Sequence, residues 1–144
     1  MAEGAAYDEP GELSVEEPAL LTLDLPATGD SVPEARRRLV AFTGEHGGSD
    51  ATAANVALCV SEAVTNAVIH GSGRDPSRTV EVIADALDGA VEVVVLDDGP
   101  GLAARVRSEG LVLGLGVIAQ ASARFAIRDR VPHGTEVWMR FELP

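Results

Sequence analysis

Two short segments of the sequence carry the residue types best suited to binding a charged ligand. The first holds Glu62 and Asn66, whose spacing places both side chains on one face of a helix. The second, Asp97–Gly101, reads aspartate, aspartate, glycine, proline, glycine. A carboxylate and an amide oxygen suit a hydrated magnesium ion, and the glycines after Asp97 let the backbone approach a flat or phosphorylated ligand. Together the segments predict a ligand site that uses Mg²⁺.

A long amphipathic helix must position the first segment. Asp50 is predicted to cap this helix, which should run over 51–70 and end at a glycine pair. His70 continues the polar stripe by one turn. The stripe borders an apolar row, so the polar groups should face a cleft. The apolar row consists of Val56, Val60, Ala63 and Ala67.

The remaining pattern predicts an α+β two-layer sandwich, with a mixed, mostly antiparallel sheet and helices on one face. The predicted strands are 20–25, 79–87, 91–96, 124–130 and 136–141, and the other predicted helices are 32–45 and 115–123. Ser31 and Glu34 have the spacing of a capping box, and Asp88-Gly89 is a strong hairpin signal. Residues 1–17 are predicted to be a disordered acidic tail, 18–144 one domain, and 100–113 a mobile loop.

Composition narrows the function classes. The chain has 144 residues and a net charge of −12, which argues against nucleic-acid binding. All 11 basic residues are arginine, so a P-loop lysine is excluded and any cationic contact with phosphate must come from Arg. No signal peptide or long apolar run is evident, which predicts a cytoplasmic protein without a membrane span. The single cysteine, Cys59, is expected to be a buried, inert thiol.

The two segments resemble motifs of a known superfamily. Ser61–Gly71 resembles the N box, and Asp97–Gly101 the first glycine box, of the GHKL ATPases, which include gyrase and the sensor histidine kinases. Among its branches, Ser61–Gly71 is most similar to the stand-alone bacterial anti-sigma-factor serine kinases. The resemblance covers residues from about 20 to 141 and implies the ATP-binding fold of that superfamily, with ATP and Mg²⁺ as its ligands.

The resemblance also implies roles for individual residues. The residue matching Asp97 accepts a hydrogen bond from the adenine amino group, and the one matching Thr135 supports it through water. Asn66 matches the magnesium ligand and Glu62 the general base of phosphoryl transfer. Gly99 and Gly101 complete the first glycine box. Gly114 and Gly116 resemble the second, where amides at a helix start receive phosphates, although Val112 leaves its register open by two residues.

Several basic residues allow two interpretations. Arg105 and Arg107 lie in the segment that resembles the ATP lid, and they either reach the phosphates or are solvated surface charges. His70 either lies near the phosphates or packs at the helix end. The cluster Arg36–Arg38 is either a docking site for an acidic surface or a solvated helix face.

The function that the resemblance implies is an ATP-binding anti-sigma factor with serine/threonine kinase activity. Such a protein sequesters a sigma factor, phosphorylates an anti-sigma-factor antagonist, and acts as a homodimer. The acidic surface predicted by the composition suits the basic regions of a sigma factor. The alternative is a binding module that has no catalytic activity and inhibits its partner by occupancy alone.

Overall fold

A computed structural model describes residues 19–73, 75–102 and 109–144, with side chains described outside 109–113. The predicted acidic tail, 1–17, lies outside the described residues, as do Arg105 and Arg107. The side chain of Val112 is likewise not described. The predicted mobile loop, 100–113, is described only in part.

Five strands and three helices make up the described fold. The strands are β1 (Ala19–Pro26), β2 (Thr79–Leu87), β3 (Ala90–Asp97), β4 (Arg124–Asp129) and β5 (Thr135–Glu142), and the helices are α1 (Ser31–Glu45), α2 (Asp50–Asn66) and α3 (Glu109–Ala121). A π-helical turn, Ala67–Gly71, continues α2. The predicted α+β sandwich is confirmed.

The sheet has the strand order β1-β2-β3-β5-β4, and each of its four strand pairs is antiparallel. The predicted hairpin between β2 and β3 is confirmed. Asp88 and Gly89 both have positive φ angles, 58° and 73°, as the tight turns that match strand twist require. On its other side β3 pairs with β5, in a register that places Asp97, at the far end of β3, opposite Thr135.

The core lies between one face of the sheet and the helices. Along β2 and β3, alternate residues are buried, as expected for strands covered on one side. The buried strand residues join the buried faces of α1 and α2 in one cluster. The residues of the predicted apolar row of α2 are all members of this cluster: Val56, Val60, Ala63 and Ala67.

The apolar character of α2 belongs to this core. By length and composition, Asp50–Gly71 passes the criteria for a membrane span, with 44% of its most apolar window buried in the domain. A core helix in contact with a second helix and a sheet needs the same apolar content. The composition of this segment is therefore explained by packing.

The starts of α1 and α2 differ from the predictions. The predicted capping box at Ser31 and Glu34 is wrong, because α1 begins one residue earlier, after Asp30, and shows no side-chain cap. Ser31 is instead buried and its hydroxyl donates to the carbonyl oxygen of Pro26. For α2, Ser49 caps the helix by accepting the Thr52 N–H at 3.1 Å, so Asp50 is the first helical residue.

The last helix is longer than predicted. It begins at Glu109 and not at Leu115, so residues assigned to a loop are helical and both Gly114 and Gly116 lie inside α3. Each glycine in a helix interior costs about 1 kcal/mol relative to alanine. Packing of α3 against α2 offsets this cost, which is a tertiary effect that local sequence does not show.

Candidate functional site

Helix α2 presents Glu62 and Asn66 to α3. A Cβ atom added to Gly114 would lie 2.9 Å from both Asn66 Nδ2 and Glu62 Oε1. Both side chains therefore meet the bare backbone of Gly114, so the predicted common face exists and borders a second helix. Asn66 is buried and Glu62 is half-buried. A side chain at position 114 would displace the polar ends of both residues.

The π turn after Asn66 connects this pair to the second segment. The N–H of Ser72 donates to the carbonyl of Ala67 at 2.8 Å, which closes the wider turn. This turn places Gly71 against Asp97, since a Cβ on Gly71 would lie 2.3 Å from Asp97 Cγ. The segment from Glu62 to Gly71 thus contacts α3 at one end and Asp97 at the other.

Asp97 is a buried carboxyl group, with 2% of its surface exposed. Its Oδ1 accepts the N–H of Gly99 at 2.9 Å. Gly99 in turn packs on the π turn so closely that an added Cβ would lie 2.0 Å from the carbonyl oxygen of Gly71. A side chain is therefore excluded at Gly71 by the Asp97 carboxyl group and at Gly99 by the backbone of Gly71, while the predicted approach of Gly99 to a ligand stays a prediction.

Two buried hydroxyls near Asp97 are available to bind a ligand or a water. Thr135 pairs directly with Asp97 across β3 and β5 and is 1% exposed. Its Oγ1 and that of Ser72 have no hydrogen-bond partner among the described residues. Buried hydroxyls are normally satisfied by protein or water. A carboxylate, an unsatisfied hydroxyl and side-chain-free glycines fit an adenine base together with a bridging water.

The other predicted glycines occupy different settings. Gly101 is buried, has a φ of 102°, and approaches Asp129, whose Oδ1 would lie 3.0 Å from an added Cβ. Gly116 is exposed with open space around it. Because Gly114 and Gly116 lie inside α3, their N–H groups lie where intrahelical hydrogen bonds form. The expectation that a helix starts between them is wrong, and their contact with phosphate stays a prediction.

Residues 25–141 match the family described as Histidine kinase-like ATPase domain. The chain belongs to this family. A solved structure of the RsbU and RsbW domains of Rv1364c from Mycobacterium tuberculosis superposes with a TM-score of 0.65 and 26% identity, covering 87% of this chain and 32% of that one. The described α+β architecture of this ATPase domain thus agrees with an independent comparison.

Curated relatives of the ATPase domain carry the name anti-sigma F factor. The protein from Geobacillus stearothermophilus is 34% identical over 80 residues, which are 56% of this chain and 55% of the relative. The protein from Geobacillus sp. (strain WCH70) is 26% identical over 117 residues, with coverage of 74% and 80%. In the alignment with the G. stearothermophilus protein, the chain spans about half the length of its relative.

Four residues around the turn after β3 escaped the sequence analysis. Arg130 and His133 of the β4–β5 connection, and Arg78 before β2, contact the carbonyls of Asp97 or Asp98, while Asp129 Oδ1 accepts the N–H of Leu102 at 2.6 Å. These contacts span 20 to 35 positions. The one available signal was that 129–134 directly precede Thr135, which the resemblance had selected.

Cys59 lies one turn before Glu62 on α2 and is fully buried. Burial, with a further contribution from the Glu62 carboxylate, raises the pKa of the thiol to about 12. A thiol with that pKa is almost entirely protonated at neutral pH and is a poor nucleophile. The expected buried, inert thiol is confirmed.

A metal ion at Asn66 would have few protein ligands. Within the described ranges, no group of three His, Cys, Asp or Glu side chains lies close enough to hold a metal ion. Magnesium is often held by one or two protein oxygens, with waters and phosphate oxygens completing its shell. The residues Asn66 and Glu62 suit that mode, and Asn66 as the ligand stays a prediction. His70 is half-buried in the π turn and its predicted role is equally open.

Proposed function

We propose that this ATPase domain is an anti-sigma factor with serine/threonine protein kinase activity, and that it acts in the cytoplasm. It binds a sigma factor and phosphorylates an anti-sigma-factor antagonist, with ATP as substrate and Mg²⁺ as cofactor. One observation carries the proposal: a single segment, 62–71, presents a carboxylate–amide pair at α3 and closes on the buried Asp97 through Gly71. The names of the curated relatives supply the choice of partner.

The proposed reaction transfers the γ-phosphoryl group of ATP to a hydroxyl oxygen of the antagonist. Glu62 accepts the proton of that hydroxyl, the new O–P bond forms, and the bond to the ADP leaving group breaks. Asn66 supplies an amide oxygen for Mg²⁺, which neutralises phosphate charge when bound. Asp97 accepts a hydrogen bond from the adenine amino group, and Thr135 forms a hydrogen bond with a water beside it. Gly99 and Gly101 keep this region free of side chains.

The charge of the chain supports a sigma factor as the partner. With a net charge of −12, the chain attracts the basic surfaces that contact DNA in a DNA-binding protein. The same charge disfavours direct contact with nucleic acid. Complementary charge increases the association rate and makes it fall as salt increases.

We also propose that the domain forms a homodimer through the open face of its sheet. This face carries one apolar row in register across four strands, with each residue half-buried: Ile83, Val94, Trp138 and Ala126. The β1–β2 side of the row is acidic and the β4 side is basic. The acidic residues are Asp24, Glu81 and Asp85, and the basic residues are Arg124 and Arg128.

This distribution is self-complementary. A two-fold axis parallel to the strands lays the acidic side of one sheet over the basic side of the other, as an isologous interface requires. Asp85 already lacks a favourable environment, since burial and then the opposing Glu92 raise the pKa of its carboxyl. A partner arginine would relieve that repulsion.

Charge reversal tests the dimer. Arg124→Glu with Arg128→Glu should weaken self-association about tenfold or more, measured by sedimentation equilibrium, because like charges then face each other. Asp24→Arg with Glu81→Arg should do the same. An equimolar mixture of the two double variants should associate more tightly than either alone. Equal self-association of the wild type and both variants would exclude this face.

A second candidate function is a binding module that uses ATP as a structural ligand and inhibits its partner by occupancy. The position of Gly114 and Gly116 inside α3 favours it, because amides within a helix are poorly placed to receive phosphates. The pairing of Glu62 with Asn66 favours the kinase, because binding alone does not require a base. A Glu62→Ala variant separates the two: the kinase loses transfer, whereas the module keeps its full inhibition.

The nucleotide site is tested by calorimetric titration of ATP into the protein with and without Mg²⁺. Binding should require Mg²⁺, and Asp97→Asn should weaken it by about 10- to 100-fold, because the substitution replaces an adenine acceptor by a group that also donates. Asp88→Asn, at the opposite end of the β2–β3 hairpin, is the control and should bind like the wild type. No heat of binding to the folded wild type would overturn the proposal.

A further inference from the structure

A set of basic side chains holds the backbone of the turn after β3. Arg130 Nη1 donates to the carbonyl oxygen of Asp97 at 2.9 Å and to Asp98 Oδ1 at 3.1 Å. Arg78 donates to the carbonyl of Asp98, and His133 Nδ1 lies 3.0 Å from the same oxygen. Since a carbonyl oxygen only accepts, this nitrogen of His133 carries the hydrogen. Neither the proposed transfer nor the metal site uses any of these groups.

We propose that Arg130 is a positioning residue that fixes the Asp97 carboxyl for recognition of the exocyclic amino group of adenine. The inference rests on the proposed ATP site and assigns the part of it that determines base specificity. Arg130 does not touch the base. It acts through Asp97, by holding the carbonyl of the residue whose side chain reads the amine.

The geometry links the arginine to the orientation of the carboxyl group. The Asp97 side chain is held on one side by the Gly99 N–H and on another by the backbone of Gly71. Both contacts keep their geometry only if the peptide between Asp97 and Asp98 keeps its orientation. Arg130 holds the carbonyl of that peptide directly, so loss of the contact removes one restraint on the peptide and lets the carboxyl group shift.

The arginine is itself well anchored. Its backbone N–H donates to the carbonyl of Gly134 at 3.0 Å, and Gly134 packs against the Asp97 carbonyl. One guanidinium nitrogen, with two hydrogens, serves two acceptors, which lysine matches poorly because its ammonium has no fixed fork. The ion pair with Asp98 is partly exposed on both sides and contributes little stability by itself. The contribution of Arg130 is therefore geometric.

The test compares ATP with the triphosphate of purine riboside, which lacks the exocyclic amino group. The wild type should bind ATP about tenfold or more tightly than the analogue, because the buried carboxyl loses a partner. Arg130→Met should reduce this ratio about fivefold by weakening ATP alone, and the analogue should bind within about twofold of wild type. Arg37→Met is the matched control: its exposed side chain pairs with Glu34 of the same helix, and it should keep the wild-type ratio.

The outcomes separate the two proposals. If the wild type discriminates and Arg130→Met keeps the full ratio, or weakens both nucleotides equally, Arg130 is not a positioning residue although the ATP site stands. If the folded wild type binds neither nucleotide or does not distinguish them, the adenine role of Asp97 fails and this inference fails with it. If the Met variant does not fold, Arg130→Lys replaces it in the comparison. Its ratio of ATP to analogue affinity should be about threefold below that of the wild type, and an unchanged ratio would overturn the inference.

Discussion

Replacing Gly114 with alanine should reduce phosphoryl transfer by about a thousandfold while the domain stays folded. The new Cβ would lie 2.9 Å from Glu62 Oε1 and from Asn66 Nδ2, closer than real Cβ contacts allow. Both neighbours are ends of side chains, so they move and the backbone does not. The expected loss of transfer therefore comes from displacement of the proposed base and magnesium ligand. Transfer is measured as phosphate incorporated into an antagonist protein.

Gly116 provides the matched control in the same helix. It has no heavy atom within 4 Å of an added Cβ, so Gly116→Ala should raise the free energy of unfolding by about 1 kcal/mol through helix propensity. Glu62→Ala should also lose transfer, and adding it to Gly114→Ala should cause little further loss, because the glycine variant has already displaced the base. Full transfer by Gly114→Ala would contradict the assigned roles of Glu62 and Asn66.

Sequence reasoning succeeded where a local rule governs. The Asp88-Gly89 turn was predictable because both residues tolerate positive φ, and the strands on either side followed from alternation. The face shared by Glu62 and Asn66 followed from helical periodicity. Asp97 was predictable as the last residue of an apolar strand, and its partner Thr135 came from the resemblance.

The rest of the site depends on contacts between distant parts of the chain. The π turn after Asn66 has no simple sequence signal, yet it brings Gly71 onto Asp97. The start of α3 at Glu109 is decided by packing on α2. Arg130 reaches Asp97 across 33 positions, and nothing in the local pattern distinguishes it from a solvated charge. Local rules thus located the proposed ligand-contacting groups and missed the groups that hold them in place.

Gly134→Ala should be the most destabilising of the glycine substitutions that we compare, for two independent reasons. Gly134 has a φ of 108°, a conformation that costs an L-residue about 1–3 kcal/mol. An added Cβ would also lie 2.1 Å from the Asp97 carbonyl oxygen, the same oxygen that accepts from Arg130. Neither backbone can yield without opening the pairing of β3 with β5. We expect a loss of about 4 kcal/mol in the free energy of unfolding, measured by urea denaturation.

Gly89→Ala isolates the first of these two reasons. Gly89 also has a positive φ, 73°, but nothing lies within 4 Å of an added Cβ, so only the backbone cost of about 1 kcal/mol should appear. The difference between the two variants therefore measures the close approach of Gly134 to Asp97. Equal urea midpoints would mean that the β4–β5 connection does not pack on Asp97. Because Arg130 and Thr135 lie on either side of that contact, a difference between the midpoints would show that the proposed base-binding end of the site is part of the stable core of the fold.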